Sequence, residues 1–114
     1  MLRIAVLGVG NFGHFFTRRL ATQKVEILAI DGDRESIDAI AAHVTDAVVG
    51  DCTNRDLLEE LDVGSFDYAV ISLGSEMDAS ILATLHARSL GVPNIYVKAI
   101  SQDHGRILEL IGAT

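Results

Sequence analysis

The chain has 114 residues, of which 49% are hydrophobic, and a formal net charge of −7. This length accommodates one compact domain without a separate substrate domain, and the negative, scattered charge argues against a nucleic-acid binder and against a polybasic membrane anchor. Cys52 is the single cysteine, which excludes an internal disulfide and suits a cytoplasmic setting.

Five short apolar runs alternate with amphipathic segments along the chain. The runs are rich in β-branched residues and apolar on both alternating faces, which is typical of strands buried on both sides of a parallel sheet. They are Leu2–Leu7, Val25–Ile30, Ala47–Val49, Tyr68–Ser72 and Ile95–Val97.

Segments with helical periodicity follow these runs. Phe12, Phe15, Phe16 and Leu20 fall on one stripe of a helix. Thr53 and Ser75 begin sequences that resemble capping boxes, and Ser101 is expected to cap the last helix. Five β-α units with right-handed crossovers predict an α/β fold, a Rossmann-type doubly wound parallel sheet in three layers with strand order 3-2-1-4-5.

The turn after the first run carries the pattern Gly8-Val9-Gly10-Asn11-Phe12-Gly13. Gly8 allows a tight turn, Gly10 lets the backbone approach a pyrophosphate, and Gly13 permits close packing of helix on strand. The free N–H groups of the following helix suit phosphate. Because Asp31 directly follows the second run, roughly 20 residues further on, the pattern predicts a dinucleotide site.

Asp31 is expected to accept hydrogen bonds from both ribose hydroxyls. A carboxylate there would repel a 2′-phosphate, so NADP is disfavoured. Arg34 is interpreted as a solvated residue in the first turn of the second helix. For Asp33 two roles stay open, the N-cap of that helix and a ligand contact.

Ligands of such sheets bind at the carboxyl ends of the strands, so the other loops there should complete the site. The segment Asp51–Thr53 would flank the adenine, although Thr53 has a capping role as its alternative. Gly74 would let the backbone approach the ligand. Lys98 and His104 would face phosphate, with an ordinary solvated surface role as the alternative for each.

Catalytic and metal chemistry are not expected. Cys52 has no paired histidine nearby in sequence, and a small packed or adenine-flanking side chain is the favoured interpretation. The four histidines are scattered without the spacing of zinc ligands. We therefore predict no catalytic residue and no metal ligand.

From Leu2 to Ala113 the chain resembles the N-terminal nucleotide-binding domain of the RCK/KTN (TrkA-N-type) group, from the cytosolic regulatory subunits of Ktr and Trk potassium-uptake systems. The glycine pattern with Asp31 and the segment Ile71–Gly74 carry part of the resemblance. The segments Asn94–Ala99 and Ile107–Ala113 are its most specific parts.

The resemblance implies a ligand sensor rather than an enzyme. Its cofactor would be NAD(H) or an adenine nucleotide (ATP, ADP or AMP), and its partner a potassium-translocating membrane subunit. It would form a homodimer assembling toward an octameric ring, cytoplasmic and peripheral to the membrane through that partner. Residues 1–114 would be one domain, ending before a crossover helix and a C-terminal domain.

The resemblance also implies which residues contact the nucleotide. Beyond Gly8, Gly10, Phe12 and Gly13 of the glycine pattern, the nucleotide contacts carried over by position are Asn11, Asp31, Gly32, Asp33, Asp51, Cys52, Leu73, Gly74, Ser75, Lys98, Ala99, Ile100 and His104.

One departure from the family pattern concerns Asn11, where Ktr-type regulators typically have an arginine that meets the terminal phosphate. A neutral amide supplies no charge, so we expect weak discrimination between ATP and ADP. Two other functions stay open, a cofactor-binding domain of an NAD-dependent oxidoreductase and a nucleotide-binding partner of some other membrane protein. Against the oxidoreductase, the sequence offers no His–Asp or Lys–Tyr pair for hydride transfer.

Overall fold

The centre of the molecule is one parallel sheet of five strands. A computed structural model describes residues 1–10, 19, 24–73 and 76–114. The strand order is β3-β2-β1-β4-β5, which confirms the predicted topology. The strands are β1 (Leu2–Leu7), β2 (Val25–Asp31), β3 (Asp46–Val49), β4 (Tyr68–Ile71) and β5 (Asn94–Val97).

Four α-helices within the described residues connect or follow these strands. They are α1 (Arg34–Ile40), α2 (Arg55–Glu60), α3 (Met77–Leu90) and α4 (Gln102–Ile111), with short 3₁₀ turns at Ala41–His43 and Val63–Ser65. The predicted apolar stripe of Phe12, Phe15, Phe16 and Leu20 lies outside the described residues. In the part of the chain that is described, no helix is both long and apolar enough to cross a membrane.

The helix starts differ in part from those predicted. Ser101 caps α4, since its Oγ accepts from the backbone N–H of His104 at 3.1 Å, as predicted. The assignment of Thr53 as the cap of α2 was wrong. Asn54 takes that position because its side-chain oxygen accepts from two backbone N–H groups of the first turn. The other start, at Ser75, lies outside the described residues, and α3 begins at Met77.

The core lies on both faces of the sheet, as the apolar pattern of the runs predicted. Along β1, Ala5 and Leu7 join one cluster, which includes Leu58 of α2 and Ala83 of α3. The alternate residues of β1 join a second cluster with Ile37 and Ile40 of α1. Each fully buried aliphatic side chain stabilises the fold by roughly 1.5–3 kcal/mol.

Arg3 joins the amino ends of three strands. Its Nε lies 2.7 Å from Glu26 Oε2 in β2, and its guanidinium stacks 4.1 Å above the ring of Phe66, just before β4. The backbone N–H of Arg3 donates to the Asp67 carboxylate at 2.9 Å. These contacts, which we call the Arg3 cluster, hold together the amino ends of β1, β2 and β4, at the end of the sheet opposite the crevice side.

Candidate nucleotide-binding site

A crevice of about 690 Å³ opens at the carboxyl ends of β1, β2, β3 and β4. This volume is typical of a pocket for a small ligand. Of the predicted contacts, the crevice brings together Gly10, Asp31, Gly32, Asp33, Asp51, Cys52 and Leu73. It is also lined by Val49, Gly50, Thr53, Ser72, Glu76 and Ala79.

The glycine turn forms one side of this crevice. Gly8 has φ +88°, and a Cβ placed there would overlap the carbonyl oxygen of Ser72 and lie 2.5 Å from the side chain of Leu73. Gly10 has φ +43°, but its nearest neighbours, both in Ser72, are 3.8 Å away. Gly8 therefore needs to be glycine for packing and conformation, whereas Gly10 leaves open space beside the crevice.

Asp31, the last residue of β2, holds the glycine turn. Its Oδ2 accepts from the backbone N–H of Val9 at 2.8 Å and its Oδ1 from the backbone N–H of Asp33 at 2.8 Å. A carboxylate offers about four lone-pair positions, so these two bonds leave about two for further donors. The half-buried carboxylate lines the crevice and is suited to accept from a pair of vicinal hydroxyls.

The hydrogen bonds of the Asp33 side chain bear on the two roles left open for it, helix cap and ligand contact. The residue occupies the N-cap position of α1, but its carboxylate makes no capping bond to a backbone N–H. Instead it accepts from the hydroxyl of Ser36 at 2.9 Å and lines the crevice. Arg34 is exposed, and its guanidinium lies 4.0 Å from Asp38.

Asp51 and Cys52, after β3, have opposite acid–base properties. The hydroxyl and the backbone N–H of Thr53 both donate to Asp51 Oδ1, at 2.6 and 2.8 Å, and these bonds lower the pKa of Asp51 below its usual 3.8. Burial, with a smaller contribution from the Asp31 charge, raises the pKa of the Cys52 thiol to about 12. Its Sγ donates to the Ile30 carbonyl at 3.3 Å. Asp51 is thus an anion at neutral pH, and Cys52 stays a thiol, unsuited to nucleophilic catalysis.

The described lining of the crevice carries only negative charge. Asp31, Asp33, Asp51 and Glu76 contribute carboxylates, and no lysine, arginine or histidine lies among the lining residues that the structure describes. Hydroxyl and amino donors therefore suit this wall better than phosphate does. Within residues 1–10, 19, 24–73 and 76–114, no group of three or more metal-ligating side chains forms.

Of the remaining predicted residues, those that the structure describes do not line this crevice. Lys98 is exposed on a separate apolar groove that includes Tyr68 and Tyr96, and Ala99 and Ile100 are exposed in the following loop. His104 is fully buried, with both ring nitrogens hydrogen-bonded within the protein. The expected contact between this ring and a phosphate does not fit such a geometry. Asn11, Phe12, Gly13, Gly74 and Ser75 lie outside the described residues.

Several lining residues were not predicted as contacts. Val49, Gly50, Ser72, Glu76 and Ala79 are aliphatic, small or acidic, and no motif singles them out. Except for Ala79, they stand at or just after strand ends or directly before α3, so the general placement of ligands at those ends could have indicated them.

The parallel sheet, the glycine turn and the acid ending β2 define a Rossmann-type α/β domain. The family model described as the TrkA-N domain matches residues 4–114. The chain therefore belongs to the TrkA-N domain family, which confirms the resemblance.

A curated relative, Ktr system potassium uptake protein A of Bacillus subtilis, is 37% identical over 111 residues, which are 97% of this chain and 50% of the relative. The chain thus spans about half the length of that relative. Two solved structures show the same fold. The TrkA-N domain of the inner membrane protein ybaL from Escherichia coli has a TM-score of 0.87 at 16% identity, covering 98% of this chain and 83% of that one. The GsuK channel bound to NAD has a TM-score of 0.82 at 20% identity, covering 98% and 20%.

Proposed function

We propose that this chain is the nucleotide-sensing domain of a regulatory subunit that controls a potassium channel or transporter. The observation that carries the proposal is the carboxylate of Asp31, which is bonded to the glycine turn and has acceptor positions left toward the crevice. The name of the Ktr system potassium uptake relative supports the assignment to potassium transport.

The ligand that we propose is NAD(H) or an adenine nucleotide. The acidic wall favours the ribose hydroxyls and the adenine amino group. The phosphates would take N–H groups of the glycine pattern beyond Gly8 and Val9, whose N–H groups are bonded to the Ile30 carbonyl and to Asp31. The charges of Asp31 and Asp33 would repel a 2′-phosphate, so NADP(H) should bind more weakly. The structure of GsuK with NAD supports a dinucleotide as one candidate.

The partner that we propose is a potassium-translocating membrane subunit, which would keep the protein cytoplasmic and peripheral to the membrane. A homodimer that assembles toward an octameric ring completes the proposal. We infer no enzymatic activity, because the acid–base constellation of a dehydrogenase is missing from the sequence and Cys52 is held as a thiol.

The proposal is tested by thermal-shift and calorimetric titration with NADH, NAD, ATP, ADP, AMP and NADPH. A ligand at 100 times its Kd raises the free energy of unfolding by about 2.7 kcal/mol, so tight binding is readily seen as a higher Tm. We expect stabilisation by at least one adenine nucleotide and a weaker effect of NADPH than of NADH. Failure of all six to bind would overturn the proposal.

Two further measurements separate a sensor from an enzyme. Sustained NADH oxidation or ATP turnover that disappears in Asp31→Asn would favour the oxidoreductase or a nucleotidase. Rubidium uptake by cells that carry Asp31→Asn in the chromosomal gene tests the link to transport. Asp46→Asn, at the amino end of β3 and away from the crevice, is the charge-matched control. We expect altered uptake with the first variant only.

A further inference from the structure

A buried polar cluster lies between α3 and α4, away from the lining of the crevice. His104 and Thr84 are fully buried and Ser80 is 2% exposed. Burying three polar side chains between two helices is unfavourable unless each is hydrogen-bonded, and aliphatic side chains would fill the space at lower cost. Among the described residues, no buried side-chain nitrogen or oxygen is left without a partner.

The hydrogen bonds of this cluster run in one direction. The backbone N–H of Ile100 donates to His104 Nδ1 at 3.1 Å, so Nδ1 is an acceptor and the proton of the neutral ring lies on Nε2. Nε2 then donates to Ser80 Oγ at 2.7 Å, and the Ser80 hydroxyl donates to the Met77 carbonyl at 2.9 Å. Each group has the partner that its chemistry requires.

The cluster joins a helix that borders the crevice to a loop that does not line it but that the family resemblance implies in nucleotide binding. Ile100 lies in this loop after β5 and, like Lys98 and Ala99 before it, is one of the nucleotide contacts that the resemblance implies. Ser80 lies in the first turn of α3, next to Ala79, which lines the crevice. These bonds run from the Ile100 N–H to the Met77 carbonyl, and within them the His104 imidazole connects the β5–α4 loop to α3.

We propose that His104 is a positioning residue that holds the β5–α4 loop and the first turn of α3 in one fixed relation. By doing so it sets the affinity for the nucleotide, a role that rests on the proposed function. His104 would act through Ile100 on the loop and through Ser80 on the crevice wall, without touching the ligand. A buried aliphatic side chain at this position would pack the helices but would leave the loop without its acceptor.

Substitutions that keep one bond at a time test this inference. In His104→Asn the amide oxygen replaces Nδ1 and still accepts from Ile100, while the bond to Ser80 is lost. In His104→Gln the amide nitrogen replaces Nε2 and still donates to Ser80, while the bond to Ile100 is lost. Ser80→Ala removes the connection from the other side. Ser89→Ala, an exposed hydrogen-bonded serine on the same helix, is the matched control.

The measurements are amide hydrogen exchange at Ile100 and calorimetric Kd values for NADH and AMP. We expect Ser80→Ala and His104→Gln to speed exchange at Ile100 and to raise the Kd by about tenfold, whereas Ser89→Ala should leave both unchanged. Ser80→Ala should add nothing when introduced into His104→Asn, because that connection is already broken. If the histidine variants do not fold, Ser80→Ala alone decides.

A lower Tm with unchanged Ile100 exchange and unchanged Kd in Ser80→Ala would mean that the cluster only packs the helices, and would overturn the inference. Failure of the wild type to bind any adenine nucleotide is a different result. It would overturn the proposed function and with it the role of His104 in affinity, while the exchange rate at Ile100 would still show whether loop and helix are coupled.

Discussion

The Asp31 carboxylate accepts a hydrogen bond from the backbone N–H of Val9 at 2.8 Å, which ties the end of β2 to the glycine turn of β1. The same side chain bonds the N–H of Asp33 at the start of α1. Asp31 therefore has a structural role in the crevice as well as the proposed role in binding ribose, and the two must be separated by the choice of variant.

Asp31→Asn and Asp31→Ala should have different effects. The asparagine keeps one oxygen that can accept from Val9 but loses the charge, so we expect a loss of roughly 1.5–3 kcal/mol in binding NAD(H) or AMP. Its amide NH2 group then faces the N–H of Asp33, which loses its acceptor, so stability should fall slightly. The alanine leaves the N–H groups of both Val9 and Asp33 without an acceptor, so stability should fall further. Calorimetry and urea unfolding measure the two effects, with Asp46→Asn as control. Wild-type affinity of Asp31→Asn for every adenine nucleotide would exclude Asp31 as the ribose ligand.

Gly8→Ala and Gly10→Ala should separate folding from binding. At Gly8 an added Cβ would overlap the Ser72 carbonyl, a backbone atom that cannot move aside easily, so we expect severe destabilisation. At Gly10 there is room, and only the left-handed conformation costs about 1–2 kcal/mol. Because the added methyl group would stand beside the crevice, Gly10→Ala should fold and bind the nucleotide more weakly. Equal loss of Tm in both variants would contradict this distinction.

Cys52 should make the protein less stable at high pH. Burial raises the pKa of this thiol from 9.0 to about 12, so between these values the folded state keeps a proton that the unfolded state releases. The contribution of the protonated thiol is fully present below pH 9 and is lost as pH rises, at up to about 1.4 kcal/mol per pH unit. Urea unfolding of wild type and Cys52→Ala from pH 8 to 11 measures it. Parallel pH profiles of the two proteins would show that the shift is absent.

Asn11 lies outside the described residues, and we predict its effect on the discrimination between ATP and ADP. Its neutral amide can donate a hydrogen bond, but a charge-assisted bond is about twice as strong. We expect ATP and ADP to bind the wild type with similar affinity, and Asn11→Arg to favour ATP. A wild-type preference for ATP of about tenfold or more, roughly 1.4 kcal/mol, would mean that another cation contacts that phosphate. Lys98 and an arginine of a partner subunit would then be the next candidates to substitute.

The sheet and one half of the crevice were predictable because their signals are local. The apolar residues on both faces of the runs and the order of the runs along the chain predicted the topology, and the position of Asp31 after the second run placed it beside the glycine turn. Thr53 and Asn54 are neighbouring good caps, and only the backbone conformation decides between them. His104 could not be assigned from sequence, because its partner Ser80 is 24 residues away and the packing of α4 on α3 buries both.

The Arg3 cluster lies at the amino ends of the strands, and the crevice lies at their carboxyl ends. Arg3 stands four residues before Leu7 in β1, so about 13 Å separates the two residues at the rise of an extended strand. Free-energy changes at sites separated by more than about 10 Å usually add. Substitutions at Arg3 or Glu26 can therefore raise or lower the stability of this domain without changing what the crevice recognises. The same fold can thus be adapted to different temperatures at the amino ends of its strands and to different ligands at their carboxyl ends.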